Sequence, residues 1–218
     1  MFDLLKEVVD LFRHLDVHLG ELIKNYGALT YLILFLVIFA ETGLVIIPFL
    51  PGDSLLFAAG MAATFGDLNP WMLIALLIIA AVLGDTVNYH IGKFIGPKVF
   101  REDNVQKNFF LRLLKKEHLE KAQGFYETHG GKTIIMARFV PIVRTFAPFV
   151  AGVGNMNYSR FISYNVIGGI IWVTGLILAG YYLARFDFVK EHFEHIVLGI
   201  IGISVVPIVI EYLRAKKN

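Results

Sequence analysis

Long apolar runs, interrupted at a few points by charges, prolines and glycines, dominate the chain. Residues 28–50 are almost wholly apolar, 71–92 and 158–184 could each cross a bilayer, and 196–213 form a slightly shorter run. A run of about 20 apolar residues is the length that spans the hydrocarbon core as a helix. The pattern therefore predicts an all-α polytopic membrane protein.

The segments between these runs are amphipathic or polar. Residues 3–26 carry apolar side chains at helical spacing and charged residues on the other face. This predicts a helix that lies in the membrane interface or packs on the membrane domain. Residues 93–132 form a polar loop with nine Lys and Arg against five Asp and Glu, and its part 105–128 is amphipathic. A second, short loop of mixed charge is predicted at 185–195.

The first interrupted apolar segment covers residues 28–66. Pro48, Pro51 and Gly52 lie within five residues of one another, a spacing that predicts a turn and not a helix interior. The apolar return that follows is about 12 residues long, which is short for a span. Because non-helical backbone at membrane depth needs cover by protein or water, we interpret the segment as a re-entrant hairpin. Pro70 then opens the next helix.

The second interrupted segment covers residues 133–156. Pro141 and Pro148 predict breaks in its helix, since proline removes a backbone hydrogen bond and clashes with the preceding turn. The positive-inside rule places the cationic loop 93–132 and the basic C-terminus in the cytoplasm. Two spans connect them, so the segment 133–156 must enter and leave on the same side. The number of crossings therefore also predicts a re-entrant hairpin.

The two halves of the chain share one order of features. Each has an amphipathic helix, then an interrupted apolar segment, then a spanning helix. The interrupted segment of each half contains an Ala-Gly pair, whose glycine is Gly60 in the first half and Gly152 in the second. The two spanning helices end on opposite sides, which predicts inverted repeats followed by a C-terminal transmembrane helix. Paired, interrupted segments are typical of a transporter's midplane site. Chance recurrence of Pro and Gly, both common in membrane helices, is the alternative.

Five charged residues lie inside the apolar segments. They are Glu41, Asp53, Asp85, Arg138 and Arg144. One charge at the centre of a bilayer costs about 3 kcal/mol, so five isolated charges would cost about as much as a domain's whole folding stability. We therefore predict that carboxylates of the first half meet guanidiniums of the second.

These charges suggest two functional roles. Arg138 and Arg144 could bind an anionic headgroup, best a lipid phosphate, because guanidinium suits bidentate recognition of carboxylate or phosphate. Glu41 and Asp53 could take up protons when a substrate displaces their arginine partners. Static salt bridges that hold the hairpins together are the alternative, although buried pairs are a poor way to gain stability. For Asp85, capping or orienting a helix is an equal alternative.

Composition supports a membrane protein and excludes other classes. Of the 218 residues, 56% are hydrophobic and 17% charged, against about 25% charged in soluble domains. The net charge of +2 gives no argument for nucleic acid. The absence of Cys excludes disulfides, thiolate metal sites and thiol catalysis. The histidines show no metal-ligand pattern, so neither a metal nor a cofactor is predicted.

Four groups of short motifs lie across residues 27–185. They are Glu41-Thr-Gly, Pro51-Gly-Asp53-Ser-Leu-Leu with Ala59-Gly60, Gly84-Asp85 with Tyr89-His-Ile-Gly92-Lys93, and Arg138-Phe-Val-Pro141 followed by Arg144, Pro148 and Ala151-Gly152. Together these motifs resemble the DedA family, also called the SNARE-associated or VTT-domain family. Many members have Pro-Gly-Glu where this chain has Pro-Gly-Asp53, which keeps the carboxylate and shortens its reach.

The resemblance implies a bacterial inner-membrane protein with two opposed re-entrant hairpins and a dependence on the proton gradient. It also implies that Glu41 and Asp53 match the family's essential acidic pair, and that Arg138 and Arg144 match its essential arginines. Some members recycle the carrier lipid undecaprenyl phosphate, others act on phospholipids, and eukaryotic relatives are lipid scramblases.

We therefore expect three parts: an N-terminal amphipathic helix (1–26), a DedA-like membrane domain (27–185), and a C-terminal transmembrane helix with a cytoplasmic basic tail (186–218). Supporting roles in the site are expected for one acidic residue and for the prolines and glycines of the two hairpins. These are Asp85, Pro48, Pro51, Gly52, Pro141, Pro148 and Gly152.

The expected function is that of a flippase, dependent on the proton gradient, for a phosphate-bearing lipid, with undecaprenyl phosphate first. A phosphatidylethanolamine flippase or scramblase and a proton-coupled exporter of small solutes are the alternatives. An enzyme such as a lipid phosphatase is not expected, since no nucleophile or metal is signalled, and a non-transporting scaffold is the remaining alternative. Expected partners are the lipid phosphate, protons and membrane lipids, with a homo-oligomer left open.

Overall fold

The computed structural model describes residues 15–44, 52–66, 68–99, 130–192, 195, 196 and 199. All regular structure in these ranges is α-helical, which confirms the predicted all-α class there. The helices are α1 (Leu15–Tyr26), α2 (Leu29–Gly43), α3 (Gly52–Thr64), α4 (Pro70–Val99), α5 (Lys132–Ala137), α6 (Pro141–Val153), α7 (Tyr158–Leu183) and α8 (Asp187–Glu191).

Helices α4 and α7 are long and apolar enough to cross a membrane. Their qualifying parts, Pro70–Ile95 and Tyr158–Leu183, each have 26 residues, with mean hydropathies of 2.1 and 1.9. Only 33% of the most apolar stretch of each helix is buried, whereas the core helix of a soluble protein is mostly buried. The two predicted spanning helices are therefore present, and α4 extends beyond the expected 71–92.

Asn69 and Pro70 begin α4. The Oδ1 of Asn69 accepts hydrogen bonds from the backbone N–H groups of Trp71 and Met72 at 3.0 and 3.1 Å. It thereby satisfies two donors of the first turn that have no partner within the helix. The N–H of Asn69 donates to the hydroxyl of Tyr31 at 2.6 Å, which joins the start of α4 to α2. The prediction that Pro70 opens this helix is confirmed.

The segment 133–156 breaks once within its described residues. Helix α5 ends at Ala137 and α6 begins at Pro141, after Val140 adopts an extended conformation with φ −116° and ψ 105°. The predicted break at Pro141 is confirmed. The predicted break at Pro148 is wrong, because Pro148 lies inside α6. A proline within a membrane helix is tolerated where neighbouring helices and local adjustment compensate for the lost backbone hydrogen bond.

The short loop of mixed charge predicted at 185–195 contains the short helix α8, so the prediction of a loop is wrong for Asp187–Glu191. Asp187 occupies the first turn of α8, where a negative charge faces the positive end of the helix dipole. Other predictions concern residues that lie outside the described part of the chain. They are the helix at 1–14, the turn at Pro48 and Pro51, the amphipathic part 105–128, and most of the C-terminal helix 196–213.

The chain divides into two compact units. Unit 1 comprises Met1–Ile38, Phe49–Ile79 and Ile171–Asn218, and unit 2 comprises Phe39–Pro48 and Ala80–Ile170. In unit 1, α1 packs against α3. In unit 2, buried apolar side chains from α4 to α7 form a core. Its members are Tyr89, Ile134, Ala137, Ala147, Ala151 and Phe161.

Glycines bring α3 and α7 into backbone contact within unit 1. A Cβ at Gly60 would clash with the backbone carbonyl of Ile177, and a Cβ at Gly180 would clash with that of Phe57. The hydroxyl of Thr64 donates to the carbonyl of Tyr181 at 2.7 Å, which adds a hydrogen bond to the same contact. Small residues at such crossings allow membrane helices to approach closely.

The same arrangement joins α6 and α4 within unit 2. A Cβ at Gly152 would clash with the carbonyl of Tyr89, and a Cβ at Gly92 would clash with that of Phe149. In both units a phenylalanine precedes the glycine of the shorter helix by one turn. The units therefore share a packing motif around the Ala-Gly pairs that the sequence repeat identified. The inverted orientation of the repeats and the re-entrant course of the hairpins stay predictions.

We predict that Gly60→Ala and Gly152→Ala each lower the free energy of unfolding by about 1–3 kcal/mol, because the added methyl group meets a backbone carbonyl. Gly175→Ala is the matched control, since a Cβ at this position in α7 would meet nothing within 4 Å. The control is expected to be neutral or stabilising, as Ala is the better helix former. Thermal unfolding in detergent measures these effects, and equal midpoints for all three variants would contradict the close contacts.

Candidate functional site

Two buried ion pairs lie within unit 2. The guanidinium of Arg144 donates to Glu41 Oε1, and the guanidinium of Arg138 donates to Asp85 Oδ2. The four residues are between 1% and 9% exposed. The structure therefore pairs each arginine with one carboxylate. The carboxylate of Glu41 comes from the apolar run 28–50, and that of Asp85 comes from the run 71–92. Asp85, for which helix capping was an equal alternative, is a full ion-pair partner.

The break between α5 and α6 positions both arginines. Arg138 follows the last residue of α5, and Arg144 lies in the first turns of α6, where its backbone N–H donates to Val140 at 2.9 Å. A continuous helix would carry the two side chains around one cylinder at fixed angles. The extended conformation of Val140 lets each guanidinium reach a different carboxylate.

A close approach of two glycines brings the carboxylates to the same region of unit 2. A Cβ at Gly43 would lie 3.3 Å from the backbone of Gly84, and a Cβ at Gly84 would clash with the side chain of Thr42. Glu41 lies in the last turn of α2, next to this contact, and Asp85 lies directly after it on α4. The two glycines therefore place both acidic residues where α2 meets α4.

Asn165 supports the pair of Arg138 and Asp85. Its Oδ1 accepts a hydrogen bond from Arg138, while its Nδ2 donates to the carbonyl of Val82 at 3.2 Å. Gly168 leaves room for the arginine, since a Cβ there would lie 2.9 Å from Arg138 Cδ. Arg138 is thus held by a carboxylate and an amide in a space that a glycine opens.

Asn88 joins the two helices that carry the other pair. Its side chain is 0% exposed, and its Nδ2 donates to the carbonyl of Thr42 at 3.1 Å and to that of Thr145 at 2.8 Å. Thr42 directly follows Glu41, and Thr145 directly follows Arg144. One amide therefore bridges the backbone of α2 and α6 beside their ion pair.

Asp53 lies in unit 1, whereas the four residues of the ion pairs lie in unit 2. It occupies the first turn of α3, where the helix dipole favours a negative charge. Its Oδ1 accepts a hydrogen bond from the indole N–H of Trp172 at 2.8 Å, and Trp172 is 4% exposed. The carboxylate is therefore held by a buried donor on α7.

The predicted supporting residues take different places. Gly52 begins α3 and is buried, Pro141 begins α6, Pro148 lies inside α6, and Gly152 contacts the backbone of Tyr89. Pro48 and Pro51 lie outside the described residues. Across the described part of the chain, no group of three His, Asp or Glu residues could hold a metal ion.

Sequence reasoning missed three polar partners, namely Asn88, Asn165 and Trp172. Each lies within a long apolar helix, and a polar side chain in such a helix indicates a site with a partner. Asn88 offers a further signal, because it follows Asp85 by three residues and so shares its helix face.

The arrangement allows anion exchange. A guanidinium binds carboxylate and phosphate with the same planar set of donors. Each arginine can therefore pass from its carboxylate to a phosphate without a new donor group. A buried carboxylate that loses its counter-ion is costly unless a proton neutralises it.

Comparisons with known proteins identify the family. The family model of the VTT domain matches residues 50–182. The chain is 50% identical over 217 residues to Protein DedA of Escherichia coli strain K12, which covers 99% of this chain and 96% of that protein. This chain belongs to the DedA family. Asp53 and Asp85 lie within the VTT range, as do both arginines, and Glu41 precedes it.

Two further relatives of this chain are named as membrane proteins. The chain is 42% identical over 174 residues to an uncharacterized membrane protein of Mycobacterium leprae, covering 80% of this chain and 75% of that protein. It is 32% identical over 169 residues to Inner membrane protein YghB of Escherichia coli strain K12, covering 78% and 74%. No solved structure matches the chain. With the apolar helices α4 and α7, these findings make the chain a membrane protein of the DedA family.

We predict that the ion pairs show pairwise coupling. Glu41→Gln and Arg144→Gln should each destabilise the protein by about 3–5 kcal/mol, because each leaves a buried charge without its partner. The double variant should cost less than the sum of the two. Asp85→Asn with Arg138→Gln should behave alike. Thermal unfolding measures both cycles, and equal coupling in the mixed cycle of Glu41→Gln with Arg138→Gln would contradict the pairing.

Tryptophan emission reports on Asp53. The chain has two tryptophans, and Trp71 is 67% exposed, so Trp71→Phe leaves the buried Trp172 as the single emitter. In that background Asp53→Ala should shift the emission of Trp172, because the indole N–H loses its acceptor. Asp53→Asn keeps an acceptor and should shift it less. An identical spectrum for the alanine variant would contradict the hydrogen bond.

Proposed function

We propose that this protein moves a phosphate-bearing lipid between the leaflets of the bacterial inner membrane, driven by the proton gradient. The observation that carries the proposal is the buried pair of Glu41 and Arg144, which lies beside a second buried pair in unit 2. Buried pairs of this kind contribute little net stability compared with apolar packing. In this proposal the pairs serve instead to exchange one anion for another at a guanidinium.

The surface around the break favours a lipid over a small hydrophilic solute. Four apolar side chains at the end of α5, in the break and at the start of α6 are exposed although the neighbouring arginines are buried. They are Met136 at 66%, Phe139 at 60%, Val140 at 40% and Val143 at 45%. A substrate whose phosphate reaches the arginines can therefore lay its hydrocarbon chain along this apolar surface.

Proton coupling follows from the exchange in the proposed cycle. When the substrate phosphate takes the guanidinium of Arg144, the carboxylate of Glu41 takes up a proton from one side of the membrane. When the phosphate leaves, Glu41 releases the proton towards the other side and binds Arg144 again. Asp53, held by Trp172 in unit 1, is proposed as the second proton-binding carboxylate.

Undecaprenyl phosphate is the leading substrate in this proposal, because a monoester phosphate presents its full negative charge to an arginine without a cationic group beside it. Phosphatidylethanolamine, which carries an ammonium group next to its phosphate, comes second. The repeated glycine contacts of α3 with α7 and of α6 with α4 support inverted repeats around a midplane site. A cytoplasmic C-terminus completes the proposed topology.

We predict that Arg144→Ala abolishes lipid translocation in reconstituted vesicles while the protein still inserts, because the phosphate loses its guanidinium. Arg144→Lys should keep part of the activity, since ammonium retains the charge without the bidentate geometry. Arg160→Ala is the control, as Arg160 is an exposed arginine at the start of α7. Full translocation by Arg144→Ala would contradict the proposal.

The same vesicles distinguish the competing functions. Translocation of undecaprenyl phosphate should rise when a proton gradient is imposed, and phosphatidylethanolamine should move more slowly. Uptake of a small solute without lipid movement would instead support a solute exporter. Release of inorganic phosphate from the lipid would support a phosphatase. A scaffold would be supported if the protein moves no substrate in vesicles while its charge-neutral variants keep full activity in cells.

A further inference from the structure

Asn88 lies between two glycine contacts on one stripe of α4. Gly84, Asn88 and Gly92 follow one another at intervals of four residues, a spacing that places side chains on the same helix face. Gly84 contacts the end of α2, and Gly92 contacts α6. Asn88, between them, donates to the backbone of both helices. The stripe therefore holds α2 and α6 against α4 in a defined register.

We propose that Asn88 is a positioning residue that holds Glu41 and Arg144 in register by tying the backbone of α2 to that of α6. The tie acts one residue away from each member of the pair, at Thr42 and Thr145. Any slide or separation of the two helices that would part the ion pair must also break a hydrogen bond of Asn88.

The orientation of the Asn88 amide is determined by its partners. Its Nδ2 lies at 3.1 and 2.8 Å from two carbonyl oxygens, and the flipped amide would place an acceptor against two acceptors. Its Oδ1 is buried and has no hydrogen-bond partner among the described residues. An apolar side chain of the same size would avoid that buried oxygen. What only the amide supplies at this position is the double donation to α2 and α6.

This inference rests on the proposed function for what the pair does, whereas the geometry stands without it. With α2 and α6 tied at their backbones, the exchange of Glu41 for a phosphate at Arg144 is a movement of side chains. The helices do not need to separate, so the pair can form again once the phosphate leaves. Asn88 thus confines the proposed cycle to the guanidinium and the carboxylate.

The test measures coupling between positions 41 and 144 in three backgrounds, using the full-length protein in detergent. Asn88→Leu and Asn88→Asp remove both N–H donors, whereas Asn88→Gln keeps them on a longer side chain. Double-mutant cycles of Glu41→Gln with Arg144→Gln are read from thermal unfolding in each background. The cycle of Asp85→Asn with Arg138→Gln, which has Asn165 as its own support, is the matched control.

In the Leu and Asp backgrounds we expect the coupling between positions 41 and 144, expressed as an equilibrium constant, to be about tenfold weaker. This is the effect of losing two hydrogen bonds. The Gln background should restore part of it, and the control cycle should keep its coupling in all three. Undiminished coupling at positions 41 and 144 in both the Leu and the Asp background would overturn the proposal. So would an equal loss in the control cycle, which would make Asn88 a residue of general stability.

Cross-linking in native membranes provides a second measurement if a variant is too unstable to purify. The chain has no cysteine, so Thr42→Cys with Thr145→Cys introduces a single thiol pair. A short bifunctional thiosulfonate should link it about tenfold faster with Asn or Gln at position 88 than with Leu or Asp. A cysteine pair at Thr64 and Tyr181 in unit 1 is the control and should link at one rate. Equal rates at the first pair in all backgrounds would overturn the proposal.

Lipid translocation separates this inference from the function on which it rests. If Arg144→Ala stops translocation and Asn88→Leu slows it with lost coupling, both stand. If Arg144→Ala leaves translocation unchanged while Asn88→Leu still loses the coupling, the proposed function fails and the positioning role of Asn88 holds.

Discussion

The cost of burying charge in an apolar environment is the constraint on which the rest of this structure depends. Glu41, Asp85, Arg138 and Arg144 are all nearly inaccessible, and each would be prohibitive alone. The structure meets the cost with two carboxylate–guanidinium pairs in one unit. The break at Val140 separates α5 from α6, and because of it Arg138 and Arg144 reach different carboxylates.

Close backbone approach makes these pairs possible. Carboxylate and guanidinium side chains have limited reach, so the helices that carry them must come near each other. Gly43 and Gly84 bring α2 onto α4, and Gly92 and Gly152 bring α6 onto α4. In an apolar environment there is little hydrophobic drive between helices, and contact of small residues with backbone supplies the packing instead.

The amides of the site have different tasks. Asn165 accepts a hydrogen bond directly from the guanidinium of Arg138. Asn88 donates its two hydrogen bonds to backbone carbonyls, so in our proposal its effect on the second pair is geometric. Trp172 holds Asp53 in the other unit. In this DedA-family protein Glu41 and Asp85 are thus each supported by an arginine, and Asp53 by a neutral donor.

The sequence by itself determined the two long helices α4 and α7 and the need of the buried charges for partners. The length of the apolar runs predicted α4 and α7, and Pro70 predicted the start of α4. The charges of Arg138 and Arg144 required anionic partners wherever the chain placed them, because the cost of burying a charge depends on the residue and its apolar neighbours. Only the tertiary structure decided which carboxylate each arginine takes, that Pro148 continues α6, and that Asn88 bridges two helices. The ion pairing and the bridge by Asn88 depend on glycine contacts between segments far apart in the chain, which local pattern does not encode.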